Sequence, residues 1–333
     1  MHADPSRLAT ARAEAARVAA LGAWGDVAGL LQPYRAQLGA HPESAALLGE
    51  ALVRTGRSAE AREWLASVLP TLETAGDRAS LRRATVLLGA SYFELGVLEE
   101  ARRAFTEALD LARRDGDDAL VARAMNNLGA IANVEGDWGS AIGLYTLAVS
   151  AHQRRGDVRG LAETFHNMAI TARDQGRLAE ADELEQRCVE YARAAQRPLL
   201  VSIARLGRAE LAFRRGDAPL AEASARRVAK EFADAGDPVR EAESLRLAGV
   251  ACTASGKHAD ARALLDHAVE RARTHGAVLL AAEALRARAE LRAAVADPHG
   301  ALDDARAALA LFTQLNARHD AAAMLRFIET LAV

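Results

Sequence analysis

Between residues 98 and 109 the apolar side chains Leu98, Ala101, Phe105, Ala108 and Leu109 recur at intervals of three, four, three and one. That spacing places them on one face of a helix with 3.6 residues per turn. Glu99, Glu100, Arg102, Arg103 and Glu107 fill the other face. The pattern then returns every 40 residues. Gly56, Gly96, Gly136, Gly176, Gly216 and Gly256 mark the period, and five residues after each stands an alanine: Ala61, Ala101, Ala141, Ala181, Ala221 and Ala261. A seventh unit has Ala296 in the glycine slot and Ala301 five residues on. Seven residues before each turn comes a small residue: Gly49, Gly89, Gly129, Ala169, Ala209, Gly249 or Ala289. A second glycine series, Gly76, Gly116, Gly156, Gly236 and Gly276, lies midway, with Gln196 and Asn316 in the two remaining slots.

Each feature has a physical reason. A helix commonly ends on a left-handed residue, where glycine carries no Cβ penalty. Two such stops per 40 residues predict two helices per unit. The small residue in the first helix and the alanine in the second let the two backbones approach closely. Arg113-Arg114 and Arg154-Arg155 precede stops, where cations suit the negative end of the helix dipole.

A fixed period of this length is the mark of a repeat architecture. The stretch Ala124-Met125-Asn126-Asn127-Leu128-Gly129, followed by Gly136-Asp137-Trp138, Ala141-Ile142, Tyr145 and Ala148, resembles a tetratricopeptide repeat. Its 40-residue length and Asn-Asn-Leu-Gly string are similar to the longer subclass of kinesin light chains and LGN-type adaptors. The resemblance covers residues 42–316 as seven units and implies an all-α fold, a right-handed superhelical solenoid of helix-turn-helix repeats. Residues 1–41 depart from it. Gly22 lies 34 residues before Gly56, but Val27 replaces the expected alanine, so this segment reads as a degenerate helix pair capping the N-terminal end. Residues 317–333 are expected to hold a closing helix, because the terminal units of a solenoid must cover an exposed core face.

Composition adds little to that picture and excludes some functions. Half of the 333 residues are hydrophobic, 4% are aromatic, and the formal net charge is -3. A near-neutral balance gives no reason to expect nucleic acid or an anionic membrane as partner. Two cysteines, an N-terminus without a signal-peptide pattern and the lack of an apolar run of about 18 residues lead us to expect a soluble cytoplasmic protein. Ala/Arg-rich usage suggests a bacterial source.

No catalytic motif, cofactor signature or metal-ligand spacing emerges, and no enzymatic activity is expected. Gly249, Gly256, Lys257 and His258 look superficially like a phosphate loop, but the glycine spacing is wrong and the Ser/Thr after the lysine is missing. His258, His267 and His275 are spread over two turns and a helix. Asp303-Asp304 reads as a solvated helix face. Cys188 aligns with Ala108, Ala148 and Ala268, and Cys252 with Ala132 and Ala172, so both read as buried small residues.

The resemblance also implies that the first helix of each pair lines a concave groove, and that asparagines nine residues before the turn contact a bound peptide's main chain. A carboxamide both donates and accepts, so it pairs with a peptide unit whatever the sequence. Asn127 and Asn167 occupy that position. Asn126 and His166 stand ten before the turn, Arg83 and Arg123 thirteen before, and Asn133 and Arg173 three before. Together they form the candidate binding set, a locally basic patch suited to an acidic segment or a free C-terminal carboxylate. Phe93 and Phe213 share the last register. The expected function is therefore a scaffold or adaptor holding a peptide or partner protein. The alternative is a peptide- or ligand-sensing subunit that controls a separate effector in a bacterial signalling or defence system. Self-association through a chain end is a further expectation.

Overall fold

The computed structural model describes residues 5–331, and every described element is helical. The degenerate N-terminal pair is α1 (Pro5–Ala20) and α2 (Trp24–Leu31). Its second helix breaks at a 3₁₀ turn, Gln32–Tyr34, and continues only as the single turn α3 (Arg35–Leu38). Pro33 explains the break, since its ring removes a backbone donor and clashes with the preceding turn. Seven pairs follow in the expected order. They are α4 (Pro42–Arg54) with α5 (Ser58–Ala75), α6 (Arg78–Glu94) with α7 (Leu98–Asp115), and α8 (Asp118–Val134) with α9 (Trp138–Arg155). Next come α10 (Val158–Asp174) with α11 (Leu178–Ala194), and α12 (Pro198–Arg214) with α13 (Ala218–Asp234). The last are α14 (Pro238–Ala254) with α15 (His258–Thr274), and α16 (Val278–Ala294) with α17 (Pro298–Gln314), closed by α18 (Arg318–Leu331). The fold is an all-α solenoid of tandem helix pairs.

The periodic residues do what their chemistry requires. All six period glycines have left-handed φ, from 70° at Gly96 to 90° at Gly216. Gln196, Ala296 and Asn316 take the same conformation at φ 53°, 58° and 50° in the slots where glycine is missing. The aspartates after the stops begin the next helix. Asp77, Asp117, Asp137, Asp157, Asp217, Asp237 and Asp297 each accept a hydrogen bond from the backbone N–H three residues on. Such caps are worth about 1 kcal/mol each.

Within a pair, the small residue of the first helix meets a large one of the second. A Cβ on Gly49 would lie 2.3 Å from Leu65, one on Gly89 2.7 Å from the Phe105 ring, one on Gly129 2.6 Å from the Tyr145 ring, and one on Gly249 2.6 Å from Leu265. Glycine is therefore required at these crossings by packing, not by backbone conformation.

The chain forms two compact units, residues 1–120 and residues 121–333. The first is built on Val27, Leu31, Leu48, Leu65, Leu72 and their neighbours, with the Trp64 Nε1 donating to the Ala45 carbonyl at 2.9 Å. The second carries the repeated Ala and Leu core through Phe165, Phe232 and Phe312. Cys188 and Cys252 are free and buried, as their registers predict. One expectation is corrected. Asp304 is not part of a solvated face: it is buried and receives two hydrogen bonds at 2.8 Å from Arg288, with Arg292 at 3.2 Å. Asp303 alone is exposed. No described helix is long and apolar enough to cross a membrane.

Candidate partner-binding surface

In the second unit the first helices α8, α10, α12, α14 and α16 stand side by side, and their polar registers join into one face. Asn167 Nδ2 on α10 donates to Asn126 Oδ1 on α8 at 3.1 Å. Thr171 Oγ1 on α10 donates to Asn133 Oδ1 on α8 at 2.6 Å. Arg246 on α14 lies 3.3 Å from Glu210 on α12 and 3.4 Å from Glu283 on α16. Arg286 on α16 meets Asp320 on α18 at 2.5 Å. Asn127 and Asn167 are both half-buried beside this ladder.

Burial alone would lower the Arg173 pKa, but the carboxylates of Asp174, Glu210 and Glu283 together raise it. At the rim, the Trp138 ring at the start of α9 lies 5.7 Å from the His319 ring on α18.

The electrostatics differ from the basic patch expected from sequence. Desolvation would push Glu210 up, but Arg246, Arg173 and Arg214 hold it low. Glu243 is likewise held low, chiefly by Arg240. At Glu283 and Glu290 desolvation wins and the pKa is raised despite nearby arginines. Acids and bases thus alternate along the face, and Arg173 is one member of a balanced set. A raised carboxyl pKa favours the folded state fully below the unfolded value of about 4.5, and that contribution is lost as pH rises through the folded value. Glu283→Gln, which mimics the protonated form, is therefore expected to raise the urea midpoint at pH 7, with the gain fading towards pH 4. A midpoint that drops at pH 7 would mean that the Arg246 contact outweighs desolvation.

The structure places the sequence candidates in five settings. Asn126, Asn133 and Asn167 are linked through α8 and α10, with Asn127 beside them. Arg173 joins the acid–base set. Arg123 is exposed and acts on the junction of α9 and α10, where its charge bears on His152 and Asp157. Arg83 lies in the first unit, ion-paired there with Glu50.

His166 is buried, and its Nδ1 lies 2.9 Å from Glu185 Oε1 on α11. Glu185 is only 2% exposed, and its Oε2 has no hydrogen-bond partner. The sequence analysis missed it, although a signal was present. Forty-residue steps through this position read Leu65, Phe105, Tyr145, Glu185, Ala225, Leu265 and Ala305, so a carboxylate occupies an apolar register. Gly207 on α12 makes room for it, since a Cβ there would sit 1.9 Å from Glu185 Oε1.

Elsewhere Glu222, Cys252 and Asp260 converge within 4.8 Å. Their charges are already met by Lys257 at 2.7 Å from Glu222 and by Arg226 at 3.0 Å from Glu222 and 3.3 Å from Asp260. That network reads as a surface ion cluster, and burial raises the Cys252 thiol pKa.

The tetratricopeptide-repeat family model matches residues 41–114, 77–149 and 120–194. Three solved structures are similar over most of the chain. A Rap protein complexed with competence and sporulation factor shares 12% identity over 98% of each chain, with a TM-score of 0.64. NprR in complex with its cognate peptide NprX shares 13% over 99% of each chain, at 0.57. Aspartyl phosphate phosphatase F from Bacillus subtilis shares 13% over 81% of this chain and 70% of its own, at 0.61. At such identities the likeness concerns the fold. No curated protein sequence matches this chain.

Proposed function

We propose that this chain, which belongs to the tetratricopeptide-repeat family, holds an extended segment of a protein or peptide against the first-helix face of its second unit. The observation that carries the reading is the carboxamide ladder. Asn126 and Asn167 are tied together across two successive helix pairs of that unit, and half-buried Asn127 lies alongside. Pre-ordered donors and acceptors of this kind suit a peptide main chain, because the entropy of fixing them is already spent in folding. Two of the similar folds are complexes with a named factor or peptide, which supports the reading. The third is named as a phosphatase, so the fold alone does not separate a binder from an enzyme.

The charge balance around Arg173 supports a neutral segment over the acidic or carboxylate-terminated one that the arginines suggest by themselves. A regulatory subunit acting on a separate effector would use the same surface and differ only in what the partner does.

The test is a tagged pull-down from the native host with wild type and Asn127→Ala/Asn167→Ala side by side. Loss of both main-chain contacts is expected to weaken partner binding by about 1–3 kcal/mol. Stability should change by only about 1 kcal/mol, for the lost Asn126–Asn167 bond. Selective loss of one protein from the variant supports the groove and names its client. Identical partner lists from both would overturn it.

A further inference from the structure

The second unit returns to its own start. Trp138, the first residue of α9, and His319, on α18, hold their rings 5.7 Å apart, although eight helices lie between them in the chain. From α8 to α18 the array takes five steps from one first helix to the next. At about 8–10 Å per step a flat array would separate its ends by about 40–50 Å. The array therefore coils, and the two rings mark the seam where a turn closes. First helices pack on one another, α10 on α12, α12 on α14 and α14 on α16, whereas α11, α13, α15 and α17 do so at most marginally. The first-helix face is thus the shorter, inner arc. Six first helices at that spacing form a ring about 15–19 Å across between axes. Helices about 10 Å thick then leave a bore of less than about 10 Å, wide enough for one extended chain and too narrow for another helix.

The helix that closes this turn is lightly held. The first helix before it, α16, buries eight residues, and α18 buries only Met324. Leu325 on α18 is half exposed. Besides its packing on α17, α18 is tied down by the Asp320–Arg286 ion pair and by His319 against half-buried Trp138. An element with so little buried apolar surface opens locally at low cost while the rest of the unit stays folded.

We propose that α18 is a gate. Seated, it lays His319 on Trp138 and closes the coil around the first-helix face. Swung away from α16, it opens that face from the side and admits a partner too wide for the bore. The gate is a property of the free chain, and it rests on the preceding reading only for what passes through it.

The test needs no partner. Ala130→Cys places a reporter on the inner face, within one turn of Asn126 and Asn133 on α8. Cys188→Ala and Cys252→Ala remove the native thiols, alanine being common at both registers. N-ethylmaleimide fits the bore, and a polyethylene-glycol maleimide of several kilodaltons does not. Adding His319→Ala/Asp320→Ala is expected to speed labelling by the polymer about tenfold, through loss of one aromatic contact and one ion pair, and to leave N-ethylmaleimide labelling unchanged. Trp138→Ala loosens the seam from the opposite side and should act in the same direction, which keeps the test intact if the double substitution unfolds the chain. Hydrogen exchange of the unaltered protein should show α18 amides opening well before those of α16. Polymer labelling that is equally fast with and without the seam, or α18 amides that exchange only on global unfolding, would overturn the gate. Neither result bears on whether a client depends on Asn127 and Asn167, so the gate and the groove fail separately.

Discussion

Tyr145→Ala is expected to destabilise the second unit by about 3–5 kcal/mol, as for other large aromatic truncations in a core. Tyr145 is 1% exposed, and its ring fills the space left by the missing side chain of Gly129. Neither α8 nor α9 can close that space without shifting along its neighbours, so most of the cavity should persist. The hydroxyl contributes separately: it hydrogen-bonds Thr171, while burial pushes the phenol pKa far up. Tyr145→Phe should therefore cost only about 0.5–1.5 kcal/mol. Gly129→Ala tests the same crossing from the other side. Alanine favours a helix by about 1 kcal/mol over glycine, but its Cβ would meet the ring at 2.6 Å, and overpacking costs about 1–3 kcal/mol. Urea titration followed by Trp138 fluorescence reads all three variants. A solenoid unfolds by nearest-neighbour coupling, so a sub-global first transition is the expected form of the loss. A Tyr145→Ala protein as stable as Tyr145→Phe would mean the ring is not packed as described.

The two-helix unit was legible because it depends on position as well as residue type. Gln196, Ala296 and Asn316 adopt the left-handed conformation without being glycine, since the surrounding helices determine the stop. The aspartates that cap helices were visible in the sequence too, one residue after the stop at positions 77, 117, 137, 157, 217, 237 and 297. The polar pairing was harder to see. Asn126–Asn167, Asn133–Thr171, Arg246–Glu210 and Lys257–Glu222 are separated by 41, 38, 36 and 35 residues. Partners thus lie close to one period apart but in different registers, so comparing like registers alone never sets them together. For that reason Arg173 read as part of a basic patch, when Glu210 and Glu283 answer it from later units. Asp304 was misread for the same kind of reason, because its neutralising arginines sit on the preceding helix.

The buried pair at His166 and Glu185 makes the second large effect, and its signature is a change of sign. His166→Leu leaves a buried carboxylate with neither oxygen paired, an arrangement that costs about 3–5 kcal/mol. Replacing both, as His166→Leu/Glu185→Leu, removes the charge as well as its partner and is expected to be neutral or stabilising by about 1–4 kcal/mol. Gly207→Ala adds an independent check. In the wild type the new Cβ would lie 1.9 Å from Glu185 Oε1, so the carboxylate must move away from His166 and stability falls. With Glu185→Ala already in place the same substitution no longer meets that carboxylate and should stabilise α12 by about 0.5–1 kcal/mol, the ordinary gain of alanine over glycine within a helix. The coupling between positions 185 and 207 is therefore expected to be large and of fixed sign, measured by urea denaturation of the four proteins in the cycle. Additive effects would show that Gly207 does not accommodate the carboxylate. A stabilised double-leucine variant that also loses its partner would show that the pair is kept at a cost in stability for what His166 presents to the groove.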